Sequence, residues 1–283
     1  MHRSSVFAAA MVLATATAAS AQDAVPKPVT VPLGGVSVSK PDDGDTPSIS
    51  LSSAFDYSSG RYGAPKTTDI LVGLTNLGVS WNDFQFSASL PYLTITGPSF
   101  VVVGTGGVPV LVTPKPGDDS TGRSGWGDLN LSATYSLPSE DLDDFDVAVS
   151  VRTKVATADT SKGLSTGATD FSFYVDVSRQ FDIWGPFVNF GYRVPGKPSF
   201  YSFNDAPSFS VGTTLALDDR LVAIASYDFD GSISTSLADA QQIFASLTWL
   251  ATDDISVTAY GEDGLSSGAP ELGTGLLVSW KLR

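Results

Sequence analysis

Hydrophobicity along this chain rises and falls with a period of two, and it does so in about a dozen separate stretches. In the last of them Leu276, Val278, Trp280 and Leu282 share one face, and Gly275, Ser279 and Lys281 share the other. A period of two puts successive side chains on opposite faces of an extended strand. No stretch reaches the roughly 18 unbroken apolar residues that a membrane-crossing helix needs. The chain therefore has to solve its burial problem with sheets.

The alternation predicts twelve strands, over 48–57, 68–81, 84–96, 128–137, 145–155, 170–178, 184–193, 208–217, 221–230, 242–250, 255–260 and 272–282. The pattern blurs in the second, and the apolar run 100–113 lies within the longest connection, so ten to fourteen strands remain admissible. Connections alternate in length. Those at 82–83, 138–144, 179–182, 218–220 and 252–254 are short, whereas the others are longer, up to 97–127. Trp81, Trp184, Trp249 and Trp280 fall at short-turn ends of strands, and Tyr57, Tyr92, Tyr192 and Tyr227 near long-loop ends. All eight share the parity of the apolar face. Two aromatic belts around an apolar band, short turns on one rim and long loops on the other, are the pattern of a transmembrane antiparallel up-and-down β-barrel. A secreted soluble β-protein would alternate too, but nothing in it would sort aromatics by rim.

The beginning of the chain fits an exported protein. His2 and Arg3, the apolar run 6–17 and Ala19-Ser20-Ala21 read as a signal peptide over residues 1–21, cut before Gln22. Residues 22–47, rich in Pro, Gly, Ser and Asp, read as an irregular periplasmic segment, leaving 48–283 for the barrel. The net charge of −14 argues against nucleic acid as a partner. The one histidine is His2 and there is no cysteine, so the mature chain cannot build a Ser–His, Cys–His or His-ligated metal site. No cofactor, metal or catalytic residue is expected. A carboxylate-only hydrolase stays open, without a pair of acids that demands it.

Strand parity points Asp56, Asp128, Asp146, Arg152, Lys154, Asp176, Arg193, Asp228 and Lys281 into the lumen. Such residues either set the charge preference of a pore or pair across a narrow lumen and keep it packed, as small barrels do. The run Phe100, Val101, Val102, Val103, then Val110, Leu111 and Val112, punctuated by glycines, is either a gate for solutes or a hairpin extending the wall. Acidic loop residues such as Asp159 and Asp263 lack calcium-loop spacing and read as solvated tips.

Four blocks carry a family likeness. They are Ser124-Gly125-Trp126-Gly127-Asp128-Leu129, the segment 151–170, Asn189-Phe190-Gly191-Tyr192-Arg193 with Gly196, and Gly264-Leu265-Ser266-Ser267. In this order they resemble the bacterial outer-membrane family named for the meta pathway of phenol degradation. Two departures stand out. Ala156-Thr157-Ala158-Asp159 replaces the usual Pro-Thr-Gly-Asp, and the chain ends Trp280-Lys281-Leu282-Arg283 rather than in an aromatic residue. The resemblance implies an outer-membrane transporter of small solutes, aromatic compounds among them. Its expected partners are membrane lipid and lipopolysaccharide, the solute and the barrel-assembly machinery. The competing readings are a closed structural barrel whose loops bind a ligand outside, and an enzyme.

Overall fold

The computed structural model describes residues 46–62, 64, 66–99, 101–103, 109–111, 122–138, 144–198, 202–234 and 237–282. The expected signal peptide, nearly all of the segment 22–47 expected to be periplasmic, Phe100 and Val112 lie outside these. The strands are β1 (Ser48–Gly60), β2 (Thr68–Trp81), β3 (Phe84–Thr96), β4 (Val101–Val103), β5 (Pro109–Leu111), β6 (Arg123–Trp126) and β7 (Leu129–Leu137). There follow β8 (Phe145–Val155), β9 (Asp170–Arg179), β10 (Trp184–Val194), β11 (Ala206–Asp218), β12 (Leu221–Asp230), β13 (Ala240–Leu250), β14 (Ile255–Gly264) and β15 (Leu272–Lys281). Twelve of them, β1 to β3 and β7 to β15, pair antiparallel with their neighbours in a ring. Leu51 opposite Trp280 joins β1 to β15 and closes it.

Burial is inverted relative to a soluble protein. On the outer wall Phe55, Leu131, Val149 and Leu276 are exposed, the first at 67%. On the inner wall Ser52, Asn76, Thr134, Ser150, Thr248 and Thr258 are buried. Hydroxyls on neighbouring strands satisfy one another there: Thr134 with Ser150 at 2.9 Å, Ser87 with Ser132 at 2.8 Å, and Thr248 with Thr258 at 2.8 Å. An apolar exterior around a hydrogen-bonded polar interior is what hydrocarbon surroundings select, since a closed barrel leaves no backbone group unpaired. The aromatic belts are present, with Trp81, Trp184 and Trp249 exposed at the short-turn rim and Tyr57, Tyr92 and Tyr192 at the other. Trp126 stands with the tyrosines, edge-on to Tyr92 at 5.3 Å. At the short-turn rim Asn82, Asp144 and Asp182 take positive φ (50°, 69° and 51°), the left-handed region that Asn and Asp tolerate best after Gly.

Several elements differ from the sequence-based expectation. Strands β1 and β14 run on to Gly60 and Gly264 rather than stopping at residues 57 and 260, because pairing continues above the apolar band where the alternation fades. The strand expected from residue 128 starts at Leu129 and is preceded by β6, which pairs with the upper part of β3. The break falls at Gly127, where an added Cβ would stand 2.9 Å from Cγ of Pro91. Within the run 100–113, β4 and β5 do not extend the wall: among the described residues they pair only with each other. The blurred pattern of β2 has a physical cause. Ile70 faces inward and is 3% exposed, because loops packed inside the mouth cover it.

Candidate functional site in the barrel mouth

The long loops fold inward and divide the mouth. Val101 and Val102 are consecutive on β4, so they point to opposite faces. Val101 joins Tyr62, Ile70, Leu93, Ile95 and Leu164 in one apolar cluster. Val102 joins Phe203, Ala206 and Ile233 in a second. The first cluster stands on β2 and β3, the second on the loops around β11 and β12, across the ring. Strand β4 is thus a bar across the mouth, wedged at both sides. Arg123 at the start of β6 fastens it, donating to the carbonyl of Val101, to that of Pro98 at 3.4 Å and to that of Gly163 at 3.1 Å. Backbone pairing places Val103, Val110 and Leu111 in the same hairpin. Burial also pushes the Tyr62 hydroxyl above the ordinary tyrosine range.

A polar hub anchors the loop between β8 and β9. Lys154 Nζ lies 3.0 Å from Asp128 Oδ2 and 3.1 Å from Asp170 Oδ2. It also donates to Thr166 Oγ1 at 3.2 Å and to the carbonyl of Ala168 at 3.0 Å. The other oxygen of Asp128 accepts from the backbone N–H of Thr157 and of Ala158, both at 2.9 Å, and Ser165 donates its hydroxyl to the same carboxylate. Asp170 accepts from the Gly196 N–H at 2.7 Å. The three charged side chains are 4%, 5% and 2% exposed. A buried ammonium between two carboxylates, with remaining lone pairs met by backbone donors, is the geometry in which such a charge is tolerated. The Asp128 carboxylate thus holds two backbone groups of the loop between β8 and β9.

The remaining expected residues fall into different settings. Arg193 pairs with Asp230 at 3.3 Å and donates to the Gly231 carbonyl at 2.6 Å. Arg152 lies 4.5 Å over the Tyr174 ring, and Asp176 accepts from Asn189 at 2.6 Å. Asp146 is exposed at the short-turn rim opposite Ser178, and Lys281 ends β15 at the same rim. Asp159 caps the short 3-10 turn Thr160–Lys162. Hydrogen bonds from the hydroxyl and N–H of Ser161 hold its carboxyl below the usual aspartate value.

A third setting lies on β12, β14 and β1. Tyr260 donates to Asp56 at 3.1 Å, Gln242 to Glu262 at 3.4 Å, and Ser226 to Asp228 at 3.1 Å. The partners of these carboxylates are neutral. Asp170, Asp230, Glu262, Tyr260 and Arg123 were missed by sequence reasoning. Carrying strand parity two residues past 260 would have put Glu262 on the inner face, and Asp170, the first residue of β9, has inner parity. Nothing in the pattern marks Arg123.

A groove of about 590 Å³ opens on the outer wall among Phe84, Phe86, Val149, Phe173 and Phe190. Those side chains belong to the apolar exterior, so the groove faces away from the mouth.

No family model and no curated protein matches this sequence. Solved structures that share its fold include two outer-membrane proteins. An outer-membrane channel from Pseudomonas putida F1 superposes with a TM-score of 0.65 at 10% identity, covering 88% of this chain and all of that one. The KdgM porin superposes with a TM-score of 0.50 at 7% identity, over 83% and 99% of the two chains. At these identities the likeness is one of fold.

Proposed function

We propose that this chain is an outer-membrane channel through which small solutes pass down their gradients. It is exported through a cleaved signal peptide and inserted by the barrel-assembly machinery among lipid and lipopolysaccharide. The observation that carries this reading is the inverted burial, a hydroxyl-lined interior within a closed apolar wall. That interior offers solutes exchangeable hydrogen bonds and offers lipid none. The two structures of like fold, a channel and a porin by description, support the same reading. The motif blocks shared with the phenol-degradation family extend it to aromatic or hydrophobic solutes, with the 100–113 segment as the gate. Lys154 and Arg193 are held in buried ion pairs, so any charge preference originates elsewhere on the wall.

The packed bar at β4 favours a second reading, a closed barrel whose loops bind a ligand outside. Single-channel recording in planar bilayers separates the two. Discrete steps that grow when residues 100–113 are deleted support the channel. A correctly folded protein that never conducts, with or without the segment, removes it.

A further inference from the structure

The inner wall from β12 through β13, β14 and β15 to β1 differs from the rest in its charge balance. Its interior face carries Asp228 and Asp230 on β12, Glu262 on β14 and Asp56 on β1. Among the described residues, its interior cation is Lys281, at the opposite rim. Asp230 is matched by Arg193. The other three carboxylates meet neutral donors, Asp228 taking Ser210 as well as Ser226, and Glu262 lies within electrostatic reach of Asp56 and Asp228.

The backbone makes room for this arrangement. A Cβ added to Gly273 would collide with the Glu262 side chain, and one added to Gly275 with the Tyr260 ring. Two glycines on β15 thus let Glu262 and Tyr260 lie across the strand toward Asp56, where a side chain would fill the gap. Beside them on β13, opposite Tyr260 in register, Ser246 is 7% exposed and its hydroxyl has no hydrogen-bond partner. A buried hydroxyl on the inner face without a protein partner points to a hydrated or oxygen-seeking occupant.

From this geometry we infer that Asp56, Asp228 and Glu262 make the passage cation-selective, so that the solutes it favours are small monovalent cations, organic ammonium compounds included. The inference rests on the channel reading and narrows its solute class. Carboxylates on a low-dielectric wall concentrate counter-ions and repel anions. They are also too dispersed to form a metal-chelating group among the described residues, which suits an ion that must leave again.

The test is the reversal potential of the reconstituted full-length mature protein under a potassium chloride gradient, repeated with tetramethylammonium chloride. The expected result is a cation-over-anion permeability ratio of about tenfold at low salt, declining as salt screens the wall. In the Asp228→Asn, Glu262→Gln double variant the ratio falls toward one. A conducting wild type with no preference, or with anion preference, overturns the inference and leaves the channel standing. A wild type that never conducts overturns both. Unchanged selectivity in a folded double variant overturns the assignment to these residues. Should that variant fail to fold, the wild-type ratios in the two salts decide.

Discussion

Two polar regions of one barrel treat buried charge in opposite ways. Around Lys154 every charged group has an ionic partner: one ammonium is shared by Asp128 and Asp170, and backbone N–H groups take up the remaining carboxylate oxygens. Around Glu262 the carboxylates have neutral partners, Gln242, Tyr260 and Ser226. The first arrangement ties three segments together and keeps its charged groups buried and engaged with one another. The second does nothing obvious for stability and leaves negative potential facing the interior. Matched charge builds this mouth, and unmatched charge gives it a preference.

The sharpest way to break that contrast is to remove charge from each region in turn. Lys154→Met strands two buried carboxylates and is expected to cost about 3–5 kcal/mol, read as urea unfolding in liposomes. Glu262→Gln removes a charge with no cation beside it and is expected to change stability by less than about 1 kcal/mol. Equal losses would erase the distinction. Next in size is Val149→Arg on the outer wall, with an expected cost of about 2–4 kcal/mol in lipid if that residue lies near mid-bilayer. A null effect there would put something other than hydrocarbon against the wall.

Arg123→Gln should loosen the β4 bar at about 1.5–3 kcal/mol, the scale of hydrogen bonds to a charged group. Its signature is more frequent open events and faster solute entry into liposomes, while the ion preference persists. Smallest is Asp159→Asn, an exposed cap whose loss should fray one turn and leave conductance unaltered. Because the folded carboxyl titrates below its ordinary value of 3.8, its contribution is complete above that pH and fades as pH falls through the lower folded value. The Ser161 amide shift, followed by NMR through this range, checks the sign.

Strand parity was readable because it is local. Ser132, Thr134 and Arg152 face inward for the same reason that Leu131 and Val149 face out: the pleat has a period of two and lipid lies on one side only. The rim sorting of Trp81 and Tyr92 follows from the bilayer's two interfaces, which any chain of this kind must match. The fate of the valine run was not readable. A stretch of apolar residues at 101–103 is equally compatible with a wall and with a plug. What selects the plug is a pair of apolar surfaces, Ile70 with Ile95 and Phe203 with Ile233, and of these four residues only Ile95 is near the run in sequence.

Alternation along twelve segments is enough to say that this chain closes into an antiparallel barrel with its apolar face outward. The reason is that one-dimensional periodicity maps directly onto the two sides of a sheet. Which lumen charges cancel is another matter. Lys154 reads in the sequence like any inward cation, and Glu262 like a residue beyond a strand end. Their roles diverge because loops fold back to bring Asp128, Asp170 and the carbonyl of Ala168 onto one, and leave the other with a neutral donor beside further carboxylates. Electrostatic compensation is a property of distances in three dimensions, and it exists only once the mouth has folded.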